Sequence, residues 1–119
     1  MSTIATNLQK ILTELAHGGT THRKRLITVD QHKGEIATMN YAWLTQGKKL
    51  DAHAHPDGEE YYLFISGSGE MLVGEKWFPV GKDDFVTVPV NHMHSLVNHE
   101  ADPLVFIAVR TVISTHPTT

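Results

Sequence analysis

Between His53 and His94 the sequence gathers side chains able to hold a cation. His53-Ala54-His55 sets two imidazoles two residues apart, Pro56-Asp57-Gly58 turns the chain, and Glu59-Glu60 heads the run Tyr61-Tyr62-Leu63-Phe64-Ile65. Farther on, His92-Met93-His94 repeats the spacing behind Pro89-Val90-Asn91. Residues two apart in a strand project from one face, so His53 points with His55 and His92 with His94. The same parity puts Glu60, Tyr62, Phe64 and Ser66 on one face and Tyr61, Leu63 and Ile65 on the other. Imidazoles and a carboxylate converging inside a β-structure are costly unless paired or bound to a cation. Three neutral imidazoles with one carboxylate suit a divalent transition metal. Of the 9 histidines, most are expected to face solvent, but that does not account for two His-x-His pairs.

The elements that must position these groups are short. Ile4, Leu8, Ile11, Leu12 and Leu15 recur at helical spacing, Thr6-Asn7-Leu8-Gln9 fits a capping box, and Gly18-Gly19 ends the pattern. This predicts a short amphipathic α-helix near residues 6–16 within an N-terminal helical arm, residues 1–22. A β-domain over residues 23–119 follows. Strands are predicted at Lys24–Val29, Glu35–Thr45, Asp51–His55, Glu60–Ser66, Glu70–Gly74, Lys76–Val80, Phe85–Val88, His92–His99 and Leu104–Ile113, separated by Gly-, Pro- and Asp-bearing turns. Many close-spaced strands without a second helix argue for an all-β sandwich or barrel. Leu63, Ile65, Val86, Val88 and Val105 are expected in its core.

Composition narrows the function classes. The chain has 119 residues, a formal charge of -3 with histidine neutral, and no cysteine. No basic face is implied, so nucleic acid is not an expected partner. Thiolate metal sites, disulfides and cysteine nucleophiles are excluded. No stretch reads as a signal peptide or approaches the roughly 18 apolar residues of a membrane span, so a cytoplasmic protein with no membrane partner is expected.

The spacing of the histidines resembles that of the cupin superfamily, as a small single-domain member. The first cupin motif, G-x5-H-x-H-x3,4-E-x6-G, is met by Gly47, His53, His55, Glu60 and Gly67. In the second, G-x5-P-x-G-x2-H-x3-N, the positions of Pro89, His94 and Asn98 agree. Asn91 stands at the second glycine, where asparagine is the next-best residue for a left-handed turn, and Asp83 stands at the first. The resemblance implies a jelly-roll β-barrel with the helix packed outside it. It also implies metal ligands at His53, His55, Glu60 and His94, holding manganese, iron, nickel, copper or zinc. Glu59 is the rival carboxylate; the six residues to Gly67 and strand parity favour Glu60. His92 can substitute for His94 or support it.

Around such a centre, Tyr41 and Trp43, with Met39 on the same strand, and Phe106 and Arg110, with Ala108, are candidates to line a substrate pocket. Tyr62, His92 and Tyr41 are candidate acid–base groups. The expected function is a metal-dependent enzyme acting on a small oxygen-bearing molecule, with dioxygenase or isomerase/lyase chemistry. The alternative is a non-catalytic module that binds or senses a sugar or organic acid. The resemblance further implies a homodimer joined through sheet edges or exchanged terminal strands.

Overall fold

Which face each strand buries is decided by residues that cannot be left in water, and in this chain the choice falls differently at its two ends. A computed structural model describes residues 6–28 and 35–112. Its strands are β1 (Glu14–Ala16), β2 (Thr21–Ile27), β3 (Ile36–Leu44), β4 (Lys49–His53), β5 (Glu60–Ser66), β6 (Ser68–Val73), β7 (Lys76–Gly81), β8 (Phe85–Val88), β9 (His94–Val97) and β10 (Leu104–Thr111). They form a six-stranded sheet in the order β1-β2-β3-β10-β5-β8 and a four-stranded sheet in the order β4-β9-β6-β7. Neighbours pair antiparallel. The fold is all-β and of the jelly-roll kind, but the two sheets keep separate ladders, so the expected closed barrel is instead an open two-sheet arrangement.

Both sheets feed one core. Leu44, Phe64, Leu104 and Phe106 come from the larger sheet and Met71 and Leu96 from the smaller, all at most 2% exposed. Phe64 and Phe106 lie side by side with ring centroids 5.9 Å apart. Val88 is buried and Val86 packs against the cluster, as expected. Leu63 and Ile65 are not in the core; they are 40% and 37% exposed. Val105 is half-buried on the outer side, beside Tyr41 and Trp43. The reason is strand parity: once Glu60, Tyr62 and Phe64 turn inward, their neighbours must turn outward. Tyr41, Ile107, Leu63 and Phe85 therefore fall in register in one row across the outer face of the large sheet.

The expected α-helix is not formed. Leu8–Lys10 makes a single 3-10 turn, capped by Asn7, whose Oδ1 accepts from the Gln9 N–H at 2.8 Å. The chain then extends into β1, which folds back on β2 through His17-Gly18-Gly19. So short a helix would need a packed apolar face to survive, and Leu12 and Leu15 are 88% and 60% exposed. Cross-strand charge favours the strand: Glu14 is in register with Arg23 and pairs with both Arg23 and Arg25, at 2.7 and 2.6 Å. Ile4 and the predicted strand ends at Val29 and Ile113 lie outside the described residues.

The two departures from the second cupin motif sit where the backbone is left-handed. Asn91 has φ 63° and Asp83 φ 71°, conformations that glycine takes freely and that Asn and Asp tolerate best among the other residues. Gly67, at φ 81°, also faces the Pro103 carbonyl at a distance no Cβ would allow. Asn98 is fully buried and staples two loops: its Nδ2 donates to the carbonyls of Leu44 and Asp102, each at 2.9 Å, and its Oδ1 accepts from the Glu100 N–H at 2.8 Å. No described helix is long and apolar enough to cross a membrane.

Two expectations follow. Phe64→Ala should cost about 3–5 kcal/mol in urea unfolding, whereas Leu63→Ser on the same strand should cost less than about 1 kcal/mol; equal costs would reverse the assigned faces. Hydrogen bonds from Arg23 and Arg25 hold the Glu14 carboxyl below its usual range, against a smaller opposing effect of burial. Its contribution to stability is therefore present above the ordinary glutamate value of about 4.3 and is lost as pH falls through the depressed folded value. Glu14→Gln should be less stable than the parent near neutrality, and the difference should close in acid, as read by urea unfolding at a series of pH values.

Candidate metal centre

The two sheets meet at a polar cluster at one end of the core. His53 ends β4 and His94 begins β9, in direct register across the smaller sheet. Glu60 begins β5 in the larger sheet, and His55 lies just past β4, its carbonyl accepting from the Asn91 N–H at 2.9 Å. One ligand atom from each of His53, His55, Glu60 and His94 falls within 4.8 Å of all the others. His94 Nε2 is 2.8 Å and His55 Nε2 is 3.7 Å from Glu60 Oε1. The His53 and His94 rings are 4.0 Å apart, and those of His53 and His55 are 5.0 Å apart.

The donor set fits a divalent ion. His94 is 1% exposed, and its Nε2 is buried without a hydrogen-bond partner. Its 2.8 Å approach to Glu60 Oε1 does not have hydrogen-bond geometry. Burying such an atom unpaired is costly, and a cation among the four residues removes the cost. Two of the other ring nitrogens are already engaged: His53 Nδ1 faces the Asp51 carbonyl at 2.7 Å and His94 Nδ1 the His92 carbonyl at 3.3 Å. A carbonyl at Nδ1 holds the proton there and leaves Nε2 with a free lone pair, the arrangement common behind metal-binding histidines. Two ligands at about 2.1 Å from an ion stand roughly 3 Å apart when adjacent and roughly 4.2 Å when opposite, so small side-chain adjustments suffice.

Electrostatics keep the set in its binding form. Burial pushes the Glu60 carboxyl up, but the close contact with His94 and the charges of His94, His55 and His53 outweigh it and leave the group below the usual range. Burial holds the His55 imidazole below its ordinary value, against the opposing pull of Glu60, so it is neutral over a wider pH range. Tyr62 is buried beneath; its hydroxyl donates to Glu60 Oε1 at 3.3 Å, and burial raises its phenol well above the ordinary value, so it stays a proton donor.

A family model for the cupin domain matches residues 42–110. The chain belongs to the cupin family. Among curated relatives, it is 25% identical to a mannose-1-phosphate guanylyltransferase of Salmonella muenchen over 80 residues, which are 67% of this chain but only 17% of that protein. It is 29% identical to an uncharacterized protein of Methanocaldococcus jannaschii over 104 residues, 87% of this chain and 82% of the other. Among solved structures, a predicted oxalate decarboxylase of Thermotoga maritima superposes with a TM-score of 0.86 at 19% identity, covering 92% of this chain and all (100%) of that one. The cupin domain of Schizosaccharomyces pombe Cnp3 gives 0.77 at 12% identity, covering 92% and 70%. These likenesses carry the fold.

In this cupin a cavity of about 330 Å³ opens beside the cluster, and His53, His55 and Glu60 form part of its wall. Arg110 lines it too, while Phe106 lies deeper, lining a small recess with Glu60 and Tyr62. The other pocket candidates are not brought to the site. Tyr41 and Trp43 project from the opposite face of β3, where with Leu8, Lys24 and Pro103 they line an outer groove of about 350 Å³. Asn40 and Ala42 take the inward positions expected for Tyr41 and Trp43. His92 precedes β9 in a loop, exposed, with its Nδ1 on the Val90 carbonyl at 3.0 Å, and it does not line the cavity. Glu59 accepts from the Tyr61 hydroxyl at 2.9 Å and lies outside the four-residue group. The sequence reading missed His17, whose ring is 5.4 Å from that of His53, and the cavity-lining Arg23, Arg25, Thr38 and Asn40. Their place depends on β1 and β2 folding over the cavity, and no local spacing signals that.

Metal titration separates these assignments. His55→Ala should weaken binding of a divalent transition metal by at least tenfold, Glu59→Ala should leave it unchanged, and Tyr62→Phe, which removes the donor to Glu60, should weaken it about 10–100-fold. Equal losses for Glu59→Ala and His55→Ala would overturn the choice of carboxylate.

Proposed function

We propose that this cupin binds one divalent transition metal through His53, His55, Glu60 and His94 and acts as an enzyme on a small oxygen-bearing molecule. The observation that carries this is the four-residue cluster with its buried, unpartnered His94 Nε2. A metal there supplies Lewis acidity or, if redox-active, one-electron chemistry, so that isomerase/lyase and dioxygenase reactions are both within reach. The chain's own residues do the rest. Tyr62 orients Glu60 from below, the core aromatics close the site on its inner side, and the cavity beside the cluster admits a small molecule. Two further assignments weighed from the sequence find less support: Tyr62 suits a positioning role because its hydroxyl is engaged by Glu60, and His92 stands apart from the cavity.

A second reading is a non-catalytic binding module. It is favoured by the guanylyltransferase likeness, in which a region resembling this chain makes up 17% of a longer protein. We also propose a homodimer, for which the apolar row Tyr41, Ile107, Leu63 and Phe85 on the outer face of the large sheet is the surface in favour; sedimentation showing only a 13.3 kDa species would count against it.

Elemental analysis of protein purified without a histidine tag should find about one transition-metal equivalent per chain. A substrate screen on the loaded protein, with and without dioxygen, then separates the readings. Turnover supports the enzyme; saturable ligand binding without turnover supports the module. Protein that neither carries nor takes up a divalent ion overturns the metal centre.

A further inference from the structure

The cavity beside the metal centre has an unbalanced charge. Three guanidiniums line it, those of Arg23, Arg25 and Arg110. Arg23 and Arg25 share one carboxylate: Glu14 Oε1 contacts their Nε atoms at 2.7 and 2.6 Å, and its Oε2 accepts from Arg25 at 2.9 Å. Arg110 has no such partner; among the described residues no carboxylate pairs with it, and its Nε is buried without a hydrogen bond. Arg110 is half-buried, and a guanidinium whose Nε is buried without a partner favours a planar anion at its fork.

Arg110 is placed where an anion would be useful. On β10 it is in register with Glu60 of β5 on one side and with Thr38 of β3 on the other. Asn40, two residues along β3, lines the same cavity, and its Oδ1 is also buried without a partner. Two residues that each carry a buried, unsatisfied atom, one a forked cation and the other an amide, thus line one cavity beside the four-residue cluster. Unsatisfied buried groups are rare enough in proteins to require an explanation. Arg23 and Arg25 already hold Glu14, whereas Arg110 is the lining cation with no carboxylate partner among the described residues.

We propose that Arg110 and Asn40 form an anion subsite that takes the carboxylate of a small hydroxy- or dicarboxylic acid, whose second oxygen function reaches the metal centre. Arg110 engages the carboxylate through its fork, with Asn40 accepting from a hydroxyl of the ligand or turning its amide to donate to an oxygen. The cavity of about 330 Å³ lies at the lower end of the roughly 300–1,000 Å³ of small-molecule sites, which favours a small acid. The second contact rests on the metal-centre reading above; the carboxylate contact does not.

Malonate is the probe, titrated calorimetrically into protein loaded with Mn²⁺ and into metal-free protein. It should bind both, more tightly to the loaded form. Arg110→Gln should weaken it at least tenfold in each, while Mn²⁺ affinity, measured separately, stays within a few fold. Arg110→Lys keeps the charge without the fork and should fall between, which guards against a folding defect in the glutamine variant. Malonate should also raise the melting temperature of the parent and not that of Arg110→Gln. Dimethyl malonate, which is uncharged, should bind at least tenfold more weakly than malonate. Malonate affinity unchanged across the Arg110 series, no malonate binding to either form, or inorganic phosphate binding as tightly as malonate would overturn the subsite. Loss of Mn²⁺ binding with Arg110-dependent malonate binding retained would instead overturn the metal centre and leave the subsite standing.

Discussion

Three imidazoles and a carboxylate, drawn from both sheets, converge within 4.8 Å, and most of the structure around them follows from making that convergence tolerable. His53 and His94 come from the smaller sheet and Glu60 from the larger. The core aromatics hold the sheets at the distance that brings the side chains together: the Tyr62 ring centroid is 5.5 Å from that of Phe106 and 6.1 Å from that of His94. Polar groups packed this closely need either one another or an ion. Tyr62 supplies part of the compensation by donating to Glu60. The buried, unpartnered Nε2 of His94 is what makes the cluster a candidate metal centre rather than an ordinary buried network.

The same inward turn of Glu60 governs the outside of the molecule. With Glu60, Tyr62 and Phe64 facing in, Leu63 and Ile65 have nowhere to go but out, and β10 and β3 add Ile107, Tyr41 and Trp43 to the same outer surface. Antiparallel sheets commonly keep one face polar for water. Here the inner face carries polar groups at its site end and the outer face carries apolar ones along a row, so the usual division is partly inverted. His22 stacks on Trp43 at 5.3 Å and shields part of that surface.

Charge around the cavity is arranged by the N-terminal hairpin. By extending into β1 instead of coiling, residues 14–16 carry Glu14 to Arg23 and Arg25 and bring His17 to the rim. Burial, followed by the charge of His53, lowers the affinity of His17 for a proton, so the rim adds a neutral imidazole rather than another cation. Arg23 and Arg25 thereby share one carboxylate, while among the described residues no carboxylate pairs with Arg110.

The candidate ligands were legible in the sequence because their spacing is short-range: His53 with His55, and Glu60 at the head of a strand, need only strand parity and one turn to be aligned. The bounds of β5 and β8 were legible for the same reason, being apolar runs closed by turn residues. The tolerance of Asn91 at a left-handed position was also legible from residue type, whereas the left-handed backbone at Asp83 emerged only in the structure. What local pattern could not decide was which face of each strand goes inside when both are apolar. Tyr41 and Trp43 look as core-like as Phe106, and Leu63 as core-like as Phe64; only the docking of the second sheet, with Glu60 and Asn40 turned toward it, separates them. Nor could helical spacing reveal that residues 8–16 would extend, since the Glu14–Arg23 pairing that favours the strand exists only after β2 folds back. Residue type and spacing determined the donor set; tertiary packing decided its surroundings, because the contacts that settle each side chain's direction come from strands distant in the chain.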